Sequence, residues 1–444
     1  MRNKKLKKVL AVTLAAAMVA ATGAACNGGS SSSQGGAASE GGATGEKVTL
    51  KMAMWDKDRS TYLNPLIDAF TKENANVSIE VVDLGSTDYM TALKTQLAGG
   101  SSGFDVVMIK DIPGYCALAG AGQLEDMTSA ISDAGLKDDD FGGVLSQMKY
   151  TDEKTYGVPF RNDFWVTYYN KALFKAAGVE EPTNDMTFSQ YDELARKVTK
   201  GEGNEKVYGD FFQSWRSTVE LFGILDGQHT ILDGEYSWMK PYYEAVLKQQ
   251  KDGITPEYAT MKSSNLKYDA AFENGQTAMI NMGGWYVPTL ISKIKNGEAD
   301  AAKDWGIVKY PHPDGVAAGS TIATLTSLGI PTSSQNKDMA KKFITFVAGE
   351  KGAQICAENG TFPAFSNDSV VDALSKMEGF PTDDKSKEAL NVEKGYLEFP
   401  VCEGAAEIET NLNNAHDAIM TESVTVDDGL KQMADSVASL IPQK

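Results

Sequence analysis

Twice between residues 48 and 109 the apolar side chains switch from a spacing of two to a spacing of three and four, and this alternation restricts the fold more than any other feature of the chain. Val48, Leu50, Met52 and Met54 alternate as in a strand, and Leu63, Leu66, Ile67 and Phe70 keep helical spacing. Val77, Ile79 and Val81 then mark a second strand, Met90, Leu93 and Leu97 a second helix, and residues 104–109 a continuous apolar third strand. Strand, helix, strand, helix, strand is the pattern of a mostly parallel sheet covered on both faces. Ligands in such sheets gather beyond the carboxyl ends of the strands. Those ends are here Trp55-Asp56 and Lys110-Asp111. About 400 residues lie in this region and beyond it, too many for one core, so two lobes are expected.

The later chain continues in the same style. Residues 164–169 form an aromatic strand, and residues 188–198 a helix that Thr187 or Ser189 can cap. Residues 272–280 read as a helix end, a glycine stop and a strand that delivers Gly283-Gly284-Trp285. Another strand lies within 319–331, and residues 339–347 form an amphipathic helix with Phe343, Ile344 and Val347 inward. The tail from 407 to 440 is largely helical, with Leu412, His416 and Ile419, then Leu430, Met433 and Val437, on apolar stripes. No repeat of 20 to 50 residues is present.

The amino terminus reads as an export signal. Arg2, Lys4, Lys5, Lys7 and Lys8 precede an uncharged run over residues 9–25 that is short and Ala-rich for a spanning helix. Cys26 follows, and then a Ser/Gly/Ala tract to residue 46 that has nothing to bury and suits a flexible tether. The arrangement resembles a bacterial lipoprotein signal, which implies a signal peptide over 1–25 and lipidation of Cys26, although Gly23 stands where that motif usually has Leu. The alternative is an ordinary secreted protein cut near Ala25. Loss of the five basic residues takes the formal charge from −18 to −23, which argues against nucleic acid and anionic lipid surfaces as partners. Contact with a membrane is therefore expected through the anchor alone.

Metal and redox chemistry find little support. Cys116, Cys356 and Cys402 form no disulfide framework, leaving open a single Cys356–Cys402 bridge. His229, His312 and His416 are far apart and lack metal-ligand spacing, so no metal is expected. Gly99-Gly100-Ser101-Ser102-Gly103 matches a hydrolase elbow, but it follows a helix and precedes a strand, the reverse of what that turn needs. Asp138-Asp139-Asp140 begins like a calcium loop, yet its twelfth position is Lys149. No phosphate-binding or dinucleotide fingerprint occurs, and no cofactor or catalytic residue is expected.

What remains is a set of tryptophans beside short polar or charged residues: Trp55-Asp56, Arg161-Asn162-Asp163 leading to Trp165, Trp215-Arg216, and Gly284-Trp285. A sugar presents apolar C–H faces that stack on an indole and hydroxyl edges that pair with carboxylate and guanidinium. Trp238 and Trp305, by contrast, are expected to pack internally. A glycoside hydrolase needs only two carboxylates at the right separation, which keeps that alternative open.

These segments resemble the family 1 extracellular solute-binding proteins, the sugar-binding lipoproteins of bacterial ABC importers, to which maltose-binding protein is a distant relative. Tyr156-Gly157-Val158-Pro159 and residues 168–174 are similar to one stretch of that family, residues 272–285 to a second, Trp305-Gly306-Ile307 with Pro311 to a third, and residues 341–352 to a fourth. The resemblance implies an α/β fold of the periplasmic-binding-protein-like type II, with two lobes, each a mostly parallel sheet flanked by helices, and a ligand cleft between them. The lobes would comprise 47–158 with 319–362, and 159–318 with 363–444, joined by crossovers near 156–160, 311–320 and 360–370. Trp55, Asp56, Asp111, Arg161, Asn162, Asp163, Trp215, Arg216 and Trp285 are the implied ligand-binding residues. The implied partners are a mono- or oligosaccharide and the membrane subunits of an importer, with the protein a monomer on the extracytoplasmic face of the cell membrane. The same fold binding a polyamine, peptide or other solute, or serving a sensor kinase, is the alternative.

Overall fold

The computed structural model describes residues 46–100 and 103–441. The expected signal peptide, nearly all of the tether and Cys26, and also Ser101 and Ser102, lie outside the described residues. Ten strands order the fold: β1 (Val48–Met54), β2 (Val77–Asp83), β3 (Val106–Ile109), β4 (Val158–Asn162), β5 (Trp165–Asn170), β6 (Met279–Gly283), β7 (Trp305–Lys309), β8 (Ser320–Ala323), β9 (Leu325–Gly329) and β10 (Lys394–Leu397). They form a five-stranded sheet in the order β2-β1-β3-β9-β4, a three-stranded sheet β6-β5-β7 and a two-stranded sheet β10-β8.

β1 lies parallel to both β2 and β3, as the alternating pattern requires. The helix Leu63–Glu73 between β1 and β2 buries Leu63, Leu66 and Phe70. The helix Tyr89–Ala98 between β2 and β3 buries Tyr89, Leu93 and Leu97, with Met90 at the margin. All four residues of β3 are buried, which suits its central place. One face of this sheet packs Leu50, Met52 and Met54 against Phe70 and against Phe343 of the helix Lys337–Ala348, with the two phenyl rings 5.0 Å apart. Apolar contact on the other face runs without interruption into the three-stranded sheet.

The expectation of a mostly parallel second sheet needs correction. β5 is antiparallel to both β6 and β7, while β9 is antiparallel to both β3 and β4. The physical reason is the route of the chain. β6 and β7 run the same way because a helix, Tyr286–Lys295, joins them. β5 instead follows β4 after only Asp163 and Phe164, and so enters its sheet from the opposite end. β9 likewise follows β8 after only Thr324. β4 stays paired with β9 out to Asn162, and β8 pairs with β10.

Where the chain passes between the larger sheets, three segments bond side by side. Asn162 N–H donates to the Phe362 carbonyl (3.1 Å), Asp163 N–H to Thr324 (3.1 Å), and Ala364 N–H to Phe160 (2.9 Å). Thr187 caps the helix Phe188–Val198 through a reciprocal bond pattern with Gln190, and Ser189 bonds Asp314 instead. The tail is two helices, Ala405–Met420 and Val426–Val437, separated at Glu422, whose φ is 53°. Trp305 is buried and stacked on Tyr168, and Trp238 lies half-buried over His229. Cys116, Cys356 and Cys402 are free, and Cys356 and Cys402 sit in different core clusters, so the bridge left open between them is not formed. Among the described residues no helix is long and apolar enough to cross a membrane.

One buried group runs against the core's chemistry. Asp210 is wholly inaccessible, and burial pushes its carboxyl well above the usual range. The unfolded chain ionises this group near pH 4 while the folded chain keeps it protonated, so stability falls as pH rises above that value, by roughly 1 kcal/mol per pH unit. Asp210→Asn is expected to raise the unfolding free energy more at pH 8 than at pH 5 in urea titrations; a loss of stability at pH 8 would contradict this.

Candidate functional site

A cavity of about 570 Å³ opens where the ends of several strands converge. Lys110 and Asp111 follow β3, Trp285 follows β6, Glu398 follows β10, and Trp165 begins β5. Thr324 separates β8 from β9. The remaining wall comes from the turn Ser214-Trp215-Arg216-Ser217, from Lys262, and from Glu409, Asn413, His416 and Asp417 on the helix Ala405–Met420.

Three indoles form one side. Trp165 and Trp285 meet edge to face with centroids 5.6 Å apart, and Trp215 lies 6.5 Å from Trp285. Hydrogen bonds fix the two inner rings. Trp285 Nε1 donates to Tyr268 Oη (3.1 Å), and Trp165 Nε1 to Thr324 Oγ1 (3.0 Å), whose hydroxyl in turn donates to Glu398 (2.6 Å). Gly283 makes room for this packing, since a Cβ there would lie 2.0 Å from the Trp285 ring. Trp215 is 41% exposed, the one large apolar side chain that faces solvent among the described residues. A rigid aromatic surface therefore stands open to water at the mouth of the cavity.

Much of the remaining lining is ionic. Arg216 is buried and pairs with Glu220, one helical turn on, while its Nε donates to Asn413 Oδ1 (3.0 Å). Asp111 caps the helix Ile112–Gly120 by accepting from Gly114 N–H (2.7 Å), and burial pushes its carboxyl up. Burial does the same to Glu398, against the pull of its Thr324 and Ser217 hydrogen bonds. Glu409 is pushed up to about 7, first by burial, with Arg216 opposing and the charges of Asp111, Glu398 and Glu220 adding to the rise. His416 accepts or donates at Nδ1 to Tyr243 Oη (2.9 Å), and burial holds it neutral, its pKa lowered to about 3. Although burial opposes it, hydrogen bonds from Lys262 (2.7 Å) and Tyr258 keep Asp417 below the usual range.

Of the residues expected to bind ligand, Asp111, Trp215, Arg216 and Trp285 line this cavity. Trp55 lies behind its rim, packed on Tyr89 at 4.9 Å with Lys110 Nζ 5.8 Å over its ring. Asp56 takes a left-handed conformation (φ 50°) at the start of a short turn and is not among the lining residues. Arg161, Asn162 and Asp163 lie elsewhere, at the passage between the sheets. Arg161 Nη2 bonds Asp163 Oδ2 at 2.7 Å with Tyr62 beside it, and Asn162 is buried. Arg161, near the end of β4, and Asp163, just beyond it, are taken up by each other at that passage. The lining residues that sequence reasoning did not select are Lys110, Trp165, Ser214, Ser217, Lys262, Thr324, Glu398, Glu409, Asn413, His416 and Asp417. A signal existed for four of them, because 409, 413, 416 and 417 fall on one helical face. Among the described residues no group of three or more His, Cys, Asp and Glu could hold a metal ion.

The chain is similar to several known proteins. It is 22% identical over 318 residues to the galactooligosaccharide-binding protein of Bacillus subtilis, covering 68% of this chain and 70% of that protein. It is 25% identical over 328 residues to the mannitol-binding protein of Pseudomonas aeruginosa, covering 70% and 71%. A sugar transporter of Rhizobium etli, crystallised in an open conformation, shares 50% identity over 88% of this chain and 100% of its own, with a TM-score of 0.82. An ABC substrate-binding protein of Listeria monocytogenes in complex with cycloalternan shares the fold at 22% identity and a TM-score of 0.74, covering 90% and 100%. Residues 56–354 match the family described as bacterial extracellular solute-binding protein, and the chain belongs to that family.

Proposed function

We propose that this chain captures a mono- or oligosaccharide in the cavity beside Trp215 and delivers it to the membrane subunits of an ABC importer. The observation that carries the reading is the exposed Trp215 ring, backed by Trp285 and Trp165, in a cavity that the carboxylates of Glu398 and Glu409 also line. An indole face offers stacking to sugar C–H groups, and carboxylates accept from ring hydroxyls. The names of its relatives, for a galactooligosaccharide, a polyol and a sugar transporter, support the same class of ligand.

The proposal extends to the cell. Cys26 would carry the lipid that holds a monomer at the extracytoplasmic face, with residues 26–46 as its tether. Lobes built on the two larger sheets would close around the sugar, and the importer would read the closed form. Binding without turnover is part of the proposal. The raised Glu409 beside Asp111 and Glu398 has the character of a glycosidase acid, which favours surface glycoside hydrolysis as the second reading. Intact oligosaccharide after prolonged incubation supports binding alone, and released monosaccharide supports the second reading.

Two outcomes test the site. Trp215→Ala should weaken the sugar that binds best in a calorimetric panel by about 2 kcal/mol, roughly 30-fold, with the melting temperature of the free protein nearly unchanged; unaltered affinity would remove Trp215 from the site. Hydroxyls donate best to an ionised carboxylate, so affinity should be roughly tenfold greater at pH 8 than at pH 6, with Glu409→Gln flattening the profile. Burial sets this titration first, and the charged groups that act on it are Arg216, Asp111, Glu398 and Glu220. Because its folded pKa lies above the unfolded one, Glu409 costs the free protein stability as pH climbs from about 4.5 to about 7, and the loss is level above that. Glu409→Gln should therefore melt higher than the parent at pH 8 and converge with it near pH 4.

A further inference from the structure

We propose that the cavity selects its sugar by charge, admitting neutral and amino sugars and rejecting sugars that carry a carboxylate or phosphate. The inference rests on the sugar reading of the same site and adds the class of sugar it takes. It follows from how the lining charges are spent. The lining holds four carboxylates and three cations, close to balance on a simple count. The partners of each group tilt that balance.

Every cation is already committed or displaced to the rim. Arg216 is 6% exposed, paired with Glu220 and bonded to Asn413. Lys262 is paired with Asp417 at 2.7 Å. Lys110 is exposed and lies over Trp55. Of the four acids, Asp417 is taken up by Lys262 and Tyr258, and the other three are in the reverse position. Asp111 receives only the Gly114 N–H, and Glu398 only hydroxyl donors. Glu409, half-buried, meets no hydrogen-bond donor among the described residues. His416 adds no compensating charge, because burial keeps the imidazole neutral, and its Nε2 is buried without a partner.

A ligand entering here meets acceptors with few protein donors and, once Glu220 is counted beside Arg216, five carboxylates against three cations. Hydroxyl groups answer the first need, and an ammonium group answers both. A carboxylate or phosphate answers neither, and at a few ångströms in a half-desolvated site like-charge repulsion is worth more than a factor of ten in affinity. Recognition would then be partly repulsive, with the acids that bind hydroxyls also excluding anionic sugars.

The test is calorimetric titration of the purified full chain at pH 8 with matched probes: glucose, galactose and mannose, their uronic acids and 2-amino derivatives, and lactose against lactobionate. In the configuration that binds, the acid should bind at least 30-fold more weakly than the neutral sugar, and the amino sugar at least as tightly. Glu409→Gln or Glu398→Gln should narrow the neutral-to-acid ratio at least threefold, as should 1 M salt. Using the ratio separates charge from a general loss of binding. Equal binding of acid and neutral forms, or a ratio that neither variant moves, overturns the charge rule and leaves the sugar reading standing. Failure of every neutral probe overturns both.

Discussion

Three backbone hydrogen bonds, from Asn162 to Phe362, Asp163 to Thr324 and Ala364 to Phe160, hold together the places where this chain leaves one large sheet for the other. The part-buried Arg161–Asp163 pair sits in that junction, and Trp165 and Thr324 extend directly from it into the cavity wall. Buried backbone groups must be paired, so the junction fixes the relative register of the crossing segments at little cost in side chains. The orientation of the aromatic wall depends on it. Trp165 Nε1 reaches Thr324, and Thr324 reaches Glu398, only while β5 and β9 begin at these points.

The cavity is expensive to maintain. Asp111, Glu398 and Glu409 are all pushed above the usual carboxylate range by burial, and Arg216 balances one turn of helix and not the whole cluster. Such groups lower the stability of the free protein near neutral pH, and a ligand that supplies hydroxyl donors recovers part of that loss. Function sites are where proteins tolerate local conflict of this kind. The exposed Trp215 belongs to the same account, since an apolar ring left in water is useful only when something covers it.

How much of this could be read beforehand follows the range of the interactions. The alternation from Val48 to Ile109 is local, and the parallel β1, β2 and β3 with their covering helices follow from it. Asp111 was legible as the residue beyond a strand end, and Trp215 and Trp285 as aromatics next to polar neighbours. Arg161 and Asp163 have the same composition as a sugar site, but their pairing and their place at the junction depend on segments some two hundred residues away in sequence. The antiparallel β5 and β9 were hidden for a related reason, because direction depends on where a strand comes from and not on its own residues. His416 shows the limit of periodicity. It does sit on a buried stripe, as its spacing with Leu412 and Ile419 suggests, and the same side chain also lines the cavity.

The central claim is that a sugar lies against the tryptophan wall. A crystal structure of the protein with the tightest sugar from a calorimetric panel tests it most directly. The account predicts ring carbons within about 4 Å of the Trp215 or Trp285 indole, with a hydroxyl at hydrogen-bond distance from Glu398 or Glu409. A sugar found instead in the separate cavity of about 620 Å³ lined by Thr61, Pro288, Ile291 and Met377 would contradict it.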